Sequence, residues 1–366
     1  MKDIYELLND VDVDDHEFEE MAVTEFEKAK VKSTLKKSIS KKKKRMGWKM
    51  NVAVAAVVIG LSTATVGLTF PAYAGNIPII GDIFRFLDNE KTGLYDNYKE
   101  FSTEMNLTQN SNGIKITIND AVFDGETVAI TYSIESDRDL GEDLYMGSAE
   151  IKGATGSGGS SRITKIDDYH YIGLDKITPF GLTSDTIDIK WKIDSVSQTY
   201  TGEKIKGNWK FTFSLPAIDS QIQLTNQSVK KNGLTVNIDK VAFTPMSFIV
   251  HYNQRATQQV QDKWHEADIE LEIKDDLGNV YSGEGNAGSG TDAYTMNWSK
   301  TFEKLDPNAT KLIITPHVTF RIHDETNSGG VEFTADGKEK EIAIPVKTGV
   351  GQEEFVMEDI VIELEK

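Results

Sequence analysis

The 366-residue sequence predicts a mainly β chain: short cytosolic helices, one transmembrane helix, then two tandem immunoglobulin-like β-sandwich domains. Three observations predict it. Residues 52–70, VAVAAVVIGLSTATVGLTF, carry no charge. From Ile114 onward, apolar residues alternate with polar ones at period two, the pattern of half-buried strands. NGIKITINDAVFDGETVAITY, from Asn112, aligns without gaps on NGLTVNIDKVAFTPMSFIVHY, from Asn232, which marks an internal repeat.

Residues 1–49 read as a cytosolic helical segment. Ile4, Leu7, Leu8 and Val11 fall at i, i+3, i+4 and i+7, one apolar face of a short helix. Residues 10–20, DVDVDDHEFEE, form an acidic stretch. A second helix follows over residues 21–35, with Ala22, Phe26 and Ala29 on one side, acids early and bases late, the order that the helix dipole favours. The apolar stripe has too little partner surface within this segment to bury itself. Ile4, Leu7, Leu8, Val11 and Phe26 are therefore candidate partner-binding residues, of a segment that gains order on a cytosolic partner. The bland alternative is a polar tail that only sets topology.

Residues 50–71 read as the span. Nineteen helical residues reach about 28 Å, close to the hydrocarbon thickness of a bilayer. Before it, residues 32–49 carry nine Lys or Arg and no acid. Lys41, Lys42, Lys43, Lys44 and Arg45, with the interfacial Trp48, are the candidate membrane and topology residues; they put the N-terminus in the cytoplasm and the C-terminus outside. A single-pass protein of the cell membrane is the expected localisation. Ala72-Tyr73-Ala74 also fits a signal-peptide cleavage site, but a secretory leader is short and basic ahead of its apolar run, whereas here residues 1–30 carry net −8. A buried core helix is the third reading.

In the juxtamembrane segment, residues 72–105, Ile79, Ile80, Ile83, Phe84 and Leu87 share a helical face that either lies in the membrane interface or packs beneath the first globular domain. Tyr95, Tyr98 and Phe101 continue an aromatic pattern.

IYELLNDVDVDDHEFEEMAVTEFEKAKVKSTLKKSI, the basic run, the single span, PAYAGNIPIIGDIFRFL and NGIKITINDAVFDGETVAITYSIES resemble a Gram-positive family with one N-terminal span and a membrane-proximal domain of unknown function. Several members are described as negative effectors of extracytoplasmic-function sigma factors. The resemblance covers residues 1–136 and implies a membrane-bound anti-sigma factor, a signalling protein of transcription regulation that acts by sequestration, or its sensor-like relative. The zinc motif of His and two Cys found in some anti-sigma factors is absent, so that inhibitory fold does not carry over.

Residues 106–218 and 219–366 each have the size of one β-sandwich. Alternation recurs at Val128, Ile130, Tyr132 and Ile134, at Ile187, Ile189, Trp191 and Ile193, and at Trp209, Phe211, Phe213 and Leu215. AEIKG corresponds to LEIKD, TIDIKWKI to KLIITPHV, and the closing FTFSLP to EIAIP. A last run, residues 355–364, is expected to add an edge strand to the second domain.

The chain carries formal net charge −18, and the part after residue 49 carries −19, a poor match for nucleic acid. No cysteine is present, which excludes disulfides and thiol catalysis. Residues 283–288 match G-x-G-x-x-G by letter but lack the strand–helix context of a dinucleotide site. With the Gly-rich residues 153–159, they read as flexible sandwich loops. Asp275-Asp276-Leu277-Gly278-Asn279 reads as a turn rather than a calcium loop. The histidines show no ligand spacing, and no serine stands in G-x-S-x-G. The expectation is no enzyme, no cofactor and no metal: a membrane-anchored regulator that sequesters a sigma factor and senses or scaffolds outside. The alternative is a surface binding or adhesion module with an N-terminal anchor.

Overall fold

The computed structural model describes residues 82–88, 92–182, 184–292, 294–323, 330–333, 339–342 and 345–365. The proposed cytosolic helices, the basic run and the span lie outside these residues. Among the described residues no helix is long and apolar enough to cross a membrane.

Two short helices come first, α1 (Ile83–Leu87) and α2 (Tyr98–Phe101). The Asp82 carboxylate caps α1 by accepting from the Arg85 N–H. The first sandwich then runs β1 (Thr103–Ser111), β2 (Ile114–Phe123), β3 (Val128–Ser136), β4 (Leu144–Tyr145), β5 (Glu150–Ile151), β6 (Gly156–Lys165), β7 (His170–Phe180), β8 (Thr186–Gln198) and β9 (Lys204–Pro216). One antiparallel sheet has the order β1-β2-β3-β7-β6. The other has β8 at its centre, between β9 on one side and β4 and β5 on the other.

The second sandwich runs β10 (Gln221–Lys231), β11 (Leu234–Phe243), β12 (Phe248–Ala256), α3 (Gln258–Lys263), β13 (Glu266–Asp275), β14 (Val280–Tyr281), β15 (Gly283–Gly285), β16 (Ser289–Asp292), β17 (Thr295–Phe302), β18 (Lys311–Arg321), β19 (Gly330–Phe333), β20 (Glu339–Ile342), β21 (Gln352–Val356) and β22 (Ile360–Glu363). Its first sheet is β10-β11-β12-β17 with β15 and β16 beyond. Its second is β14-β13-β18, with β21 and β22 along the far edge of β18.

The repeat is visible in backbone detail. Asn112-Gly113 and Asn232-Gly233 each join two strands with φ of 50 and 78° in one copy and 49 and 79° in the other. Two positive φ values in a two-residue hairpin make a type I′ turn, whose twist suits the strands on either side. Asn106 and Asn226 take positive φ as well, where β1 and β10 bulge against β2 and β11.

Each pair of sheets encloses its own core. Tyr132, Trp191 and Trp209 are fully buried in the first. Tyr132 meets Trp191 edge-on at 5.2 Å, and the Trp209 indole N–H donates to the Ile114 carbonyl, so neither tryptophan buries an idle donor. Phe248, Phe302 and Phe320 fill the second core. Each side chain of this kind contributes on the order of 1.5–3 kcal/mol by leaving water.

Three expectations need correction. In an immunoglobulin domain, successive early strands cross between sheets. Here β1, β2 and β3 stay in one sheet as a meander, because both early connections are tight hairpins. The Gly-rich residues 153–159 are not one loop, since β6 begins at Gly156. EIAIP does not take the place of β9. Its first residues belong to β20, which pairs with β19 as a separate hairpin, and β21 and β22 take that place on β18.

Candidate functional site

The candidate partner-binding residues Ile4, Leu7, Leu8, Val11 and Phe26 lie outside the described residues. So do the candidate membrane residues Lys41, Lys42, Lys43, Lys44, Arg45 and Trp48. The described chain brings together a different set, at a three-way junction of the α1–α2 segment and the two sandwiches.

The junction begins with period two on β7. Tyr171 and Ile177 face the first core, so Ile172 and Leu174 face outward. An outward apolar patch must be covered, and Ile83, Phe84 and Leu87 of α1 cover it together with Leu94, Tyr95 and Tyr98. Phe84, Tyr95 and Tyr98 form an aromatic triad with ring centroids 4.9–6.4 Å apart. Of the two placements open for the Ile83, Phe84 and Leu87 face, packing against the first domain is the one found. Met246, in the β11–β12 turn of the second sandwich, completes the cluster.

Polar groups lock the same place. Lys176, next outward on β7, reaches Glu284 of β15 at 2.8 Å. The Tyr95 hydroxyl donates to the same carboxylate, and Arg162 on β6 donates to the Leu87 carbonyl at 2.9 Å. Burial alone would raise the Glu284 pKa, but Lys176 and the Tyr95 hydrogen bond outweigh it and hold the carboxyl below its usual range. Burial, reinforced by Glu284, pushes the Tyr95 phenol far above its ordinary value.

Beside this lies a second polar contact. Ser299 donates to Glu126, which sits in the β2–β3 turn, and His251 stands 3.9 Å from the same carboxylate. Burial raises the Glu126 pKa. Burial and then Lys240 lower His251 to about 4, so the imidazole is neutral at pH 7. Asp124, two positions earlier in the same turn, is raised to about 6 by burial against the N–H bonds it accepts from Thr127 and Glu126.

The two Gly-rich stretches meet here. A Cβ added at Gly158 would lie 2.4 Å from the Cβ of Ala287, closer than two carbons approach. Residues 283–288 are thus the strand β15 and its continuation against the first sandwich, with no helix to receive a phosphate. The sequence signal was there as two runs of small residues, which is where two backbones approach closely.

Among the described residues no group of three or more His, Cys, Asp or Glu is placed to hold a metal. The Asp275 carboxylate accepts from Leu277 N–H, Asn279 N–H, the Asn279 amide and the Tyr281 hydroxyl, which closes residues 275–279 into a turn. The junction offers buried, paired charge between the α1–α2 segment and the two sandwiches.

Two family descriptions match the sequence: a Domain of unknown function (DUF4179) over residues 41–136, and a Family of unknown function (DUF5643) over residues 220–364. The crystal structure of the conserved domain protein from Bacillus anthracis is similar, with 44% sequence identity over 79% of this chain and 100% of that one, and a TM-score of 0.69. No curated protein matches the chain.

Proposed function

The chain belongs to the same family as the conserved domain protein from Bacillus anthracis, and from that premise we propose that it is a single-pass membrane regulator of the anti-sigma-factor kind. Residues 1–49 hold an extracytoplasmic-function sigma factor through Ile4, Leu7, Leu8, Val11 and Phe26. Residues 50–71 anchor the chain, with Lys41–Lys44, Arg45 and Trp48 setting its orientation. The paired β domains outside sense or scaffold. The observation that carries this reading is the order of charge: net −8 over residues 1–30, nine cations and no acid over 32–49, then nineteen uncharged residues. The α1–α2 segment is compatible with it, since the chain that follows the proposed span in sequence packs against both sandwiches from Ile83 onward.

Two measurements test it. Protease added to intact protoplasts should digest the β domains and spare the N-terminal segment; soluble protein in the medium beginning at Gly75 removes the anchor. In a pull-down with residues 1–49, Leu7→Asp with Leu8→Asp should abolish capture of the sigma factor, and equal capture by both peptides removes these leucines from the interface. A second reading, a surface binding module for which the span is only an anchor, is favoured by an open cleft in the second sandwich.

A further inference from the structure

The second sandwich keeps one side open. In the first, the strands beside β8 are β4 and β5, two residues each. In the second, the corresponding strand is β13, ten residues long, and β14 pairs only with its Ile273 and Lys274. Residues 267–271 therefore have β18 on one side and no described strand on the other. Long free edges are ordinarily shortened or covered, because their backbone groups recruit further strands.

Side chains mark which backbone groups face the gap. Gln254 donates to the Ala267 carbonyl at 3.0 Å, and the Tyr252 hydroxyl to the Ile269 carbonyl at 3.4 Å. Both donors come from β12 in the opposite sheet and stand where the N–H groups of a neighbouring strand would be. In an antiparallel strand the N–H of a residue lies on the same side as its C=O. The N–H groups of Ala267, Ile269 and Leu271 thus point into the same gap.

That gap is a cleft of about 340 Å³, lined by Tyr252 and Trp298 along one wall and by β13 along the other. The outward face of β13 carries Glu266, Asp268 and Glu270 at every second position. Lys300, across the cleft, already reaches over to Glu270. This acidic row therefore accepts an ammonium group from the cleft side, in addition to the Arg321 and His323 contacts it makes on the β18 side.

The geometry points to a peptide-binding slot, in which an extended basic segment of a partner protein adds as a strand to β13. Its carbonyls take the N–H groups of Ile269 and Leu271. Its small apolar side chains lie over Tyr252 and Trp298, and its lysines or arginines stand beside Glu266, Asp268 and Glu270, one displacing Lys300. Backbone pairing supplies affinity in such strand addition, and alternate side chains supply selectivity. Charge chooses the occupant. A second copy of this chain would bring the same acidic row into register with the first, and like charges on paired strands repel. The slot uses residues of the second sandwich alone and does not depend on what the N-terminal segment holds.

The test uses the full chain in detergent micelles and two seven-residue peptides of equal charge, one alternating lysine with valine and one alternating lysine with proline. Proline has no N–H to donate to the Ala267 and Ile269 carbonyls, and its ring disfavours a paired strand. The lysine–valine peptide should slow amide hydrogen exchange at Ile269 and Leu271 about tenfold or more, and the lysine–proline peptide should not. Asp268→Asn with Glu270→Gln removes both charges but keeps an oxygen for Arg321 and Lys300 to reach, and the two side chains are 52% and 69% exposed, so the β-type circular dichroism should stay as it is. Affinity for the lysine–valine peptide should fall about tenfold, roughly 1.4 kcal/mol. Equal binding of the two peptides would reduce the effect to charge alone and overturn the slot. So would protection on another edge with residues 267–271 unchanged, or no binding by the unsubstituted chain at about 1 mM peptide.

Discussion

Tyr95 donates its hydroxyl hydrogen to Glu284 at 2.7 Å across 189 positions of sequence. The same carboxylate holds Lys176 at 2.8 Å, so one side chain ties the α1–α2 segment, the first sandwich and the second. Tyr95→Phe keeps the ion pair and should lower the unfolding free energy by about 1 kcal/mol. Glu284→Ala leaves the Lys176 ammonium, only 7% exposed, without its carboxylate. The loss should be about 2–3 kcal/mol, less than for a fully buried pair because the Glu284 side chain is 41% exposed. Urea titration followed by tryptophan fluorescence reads both, and equal losses would show that the ion pair adds nothing.

Asp175 gives a pH prediction. It lies inside the first sandwich, 1% exposed, and accepts from the Ser161 and Tyr132 hydroxyls, while its Oδ2 has no hydrogen-bond partner. Burial raises it from 3.8 to about 6, and the Ser161 and Tyr132 bonds only partly offset this. The folded chain therefore binds this proton more tightly than the unfolded chain. Its contribution to stability is greatest below about pH 4 and is lost as pH rises through 6. Asp175→Asn should raise the melting temperature at pH 7.5, by on the order of 1–2 kcal/mol in unfolding free energy, and change it little at pH 4. A gain of the same size at both pH values would exclude titration as its cause.

Gly158 and Ala287 test the contact between the sandwiches by shape alone. Gly158→Ala should loosen the junction, seen as faster proteolysis near Ala217 and Ile218. Ala287→Gly should restore the slow rate when combined with it, because the colliding Cβ is removed. Failure of the second substitution to rescue the first would place the strain within β6 itself.

Phe84→Ala removes the side chain on which Tyr95 and Tyr98 pack. A loss of about 3–4 kcal/mol is expected for a fully buried phenylalanine. If the segment undocks locally rather than with the whole fold, hydrogen exchange should accelerate at Ile172 and Leu174 and stay slow at Trp191.

Strands with one buried face were legible in the sequence. Ile114, Ile116 and Ile118 alternate with polar residues because one face meets a core, and the Asn-Gly pairs announce tight hairpins because both turn positions need positive φ. Sheet order was not legible, since alternation says which face is buried and not which neighbour pairs. GSGGSSRITK, the sequence of β6, has little intrinsic strand preference. It is a strand because β7 pairs with it along its whole length. Lys176 and Glu284 carry no local mark: each is a single charge on an otherwise ordinary strand, and only the docking of two sandwiches makes them partners. The N-terminal residues that carry the proposed function lie outside the described chain.

The placement of α1 and α2 has a mechanical consequence. In a string of beads, tension applied at one end passes through each bead in turn, and each yields separately. Here the handle at the N-terminal end is clasped by both sandwiches at once, through Phe84 on one side and Glu284 on the other. A pull at residue 82 therefore loads the clasp before any sheet, and its release should precede the unfolding of either β-fold.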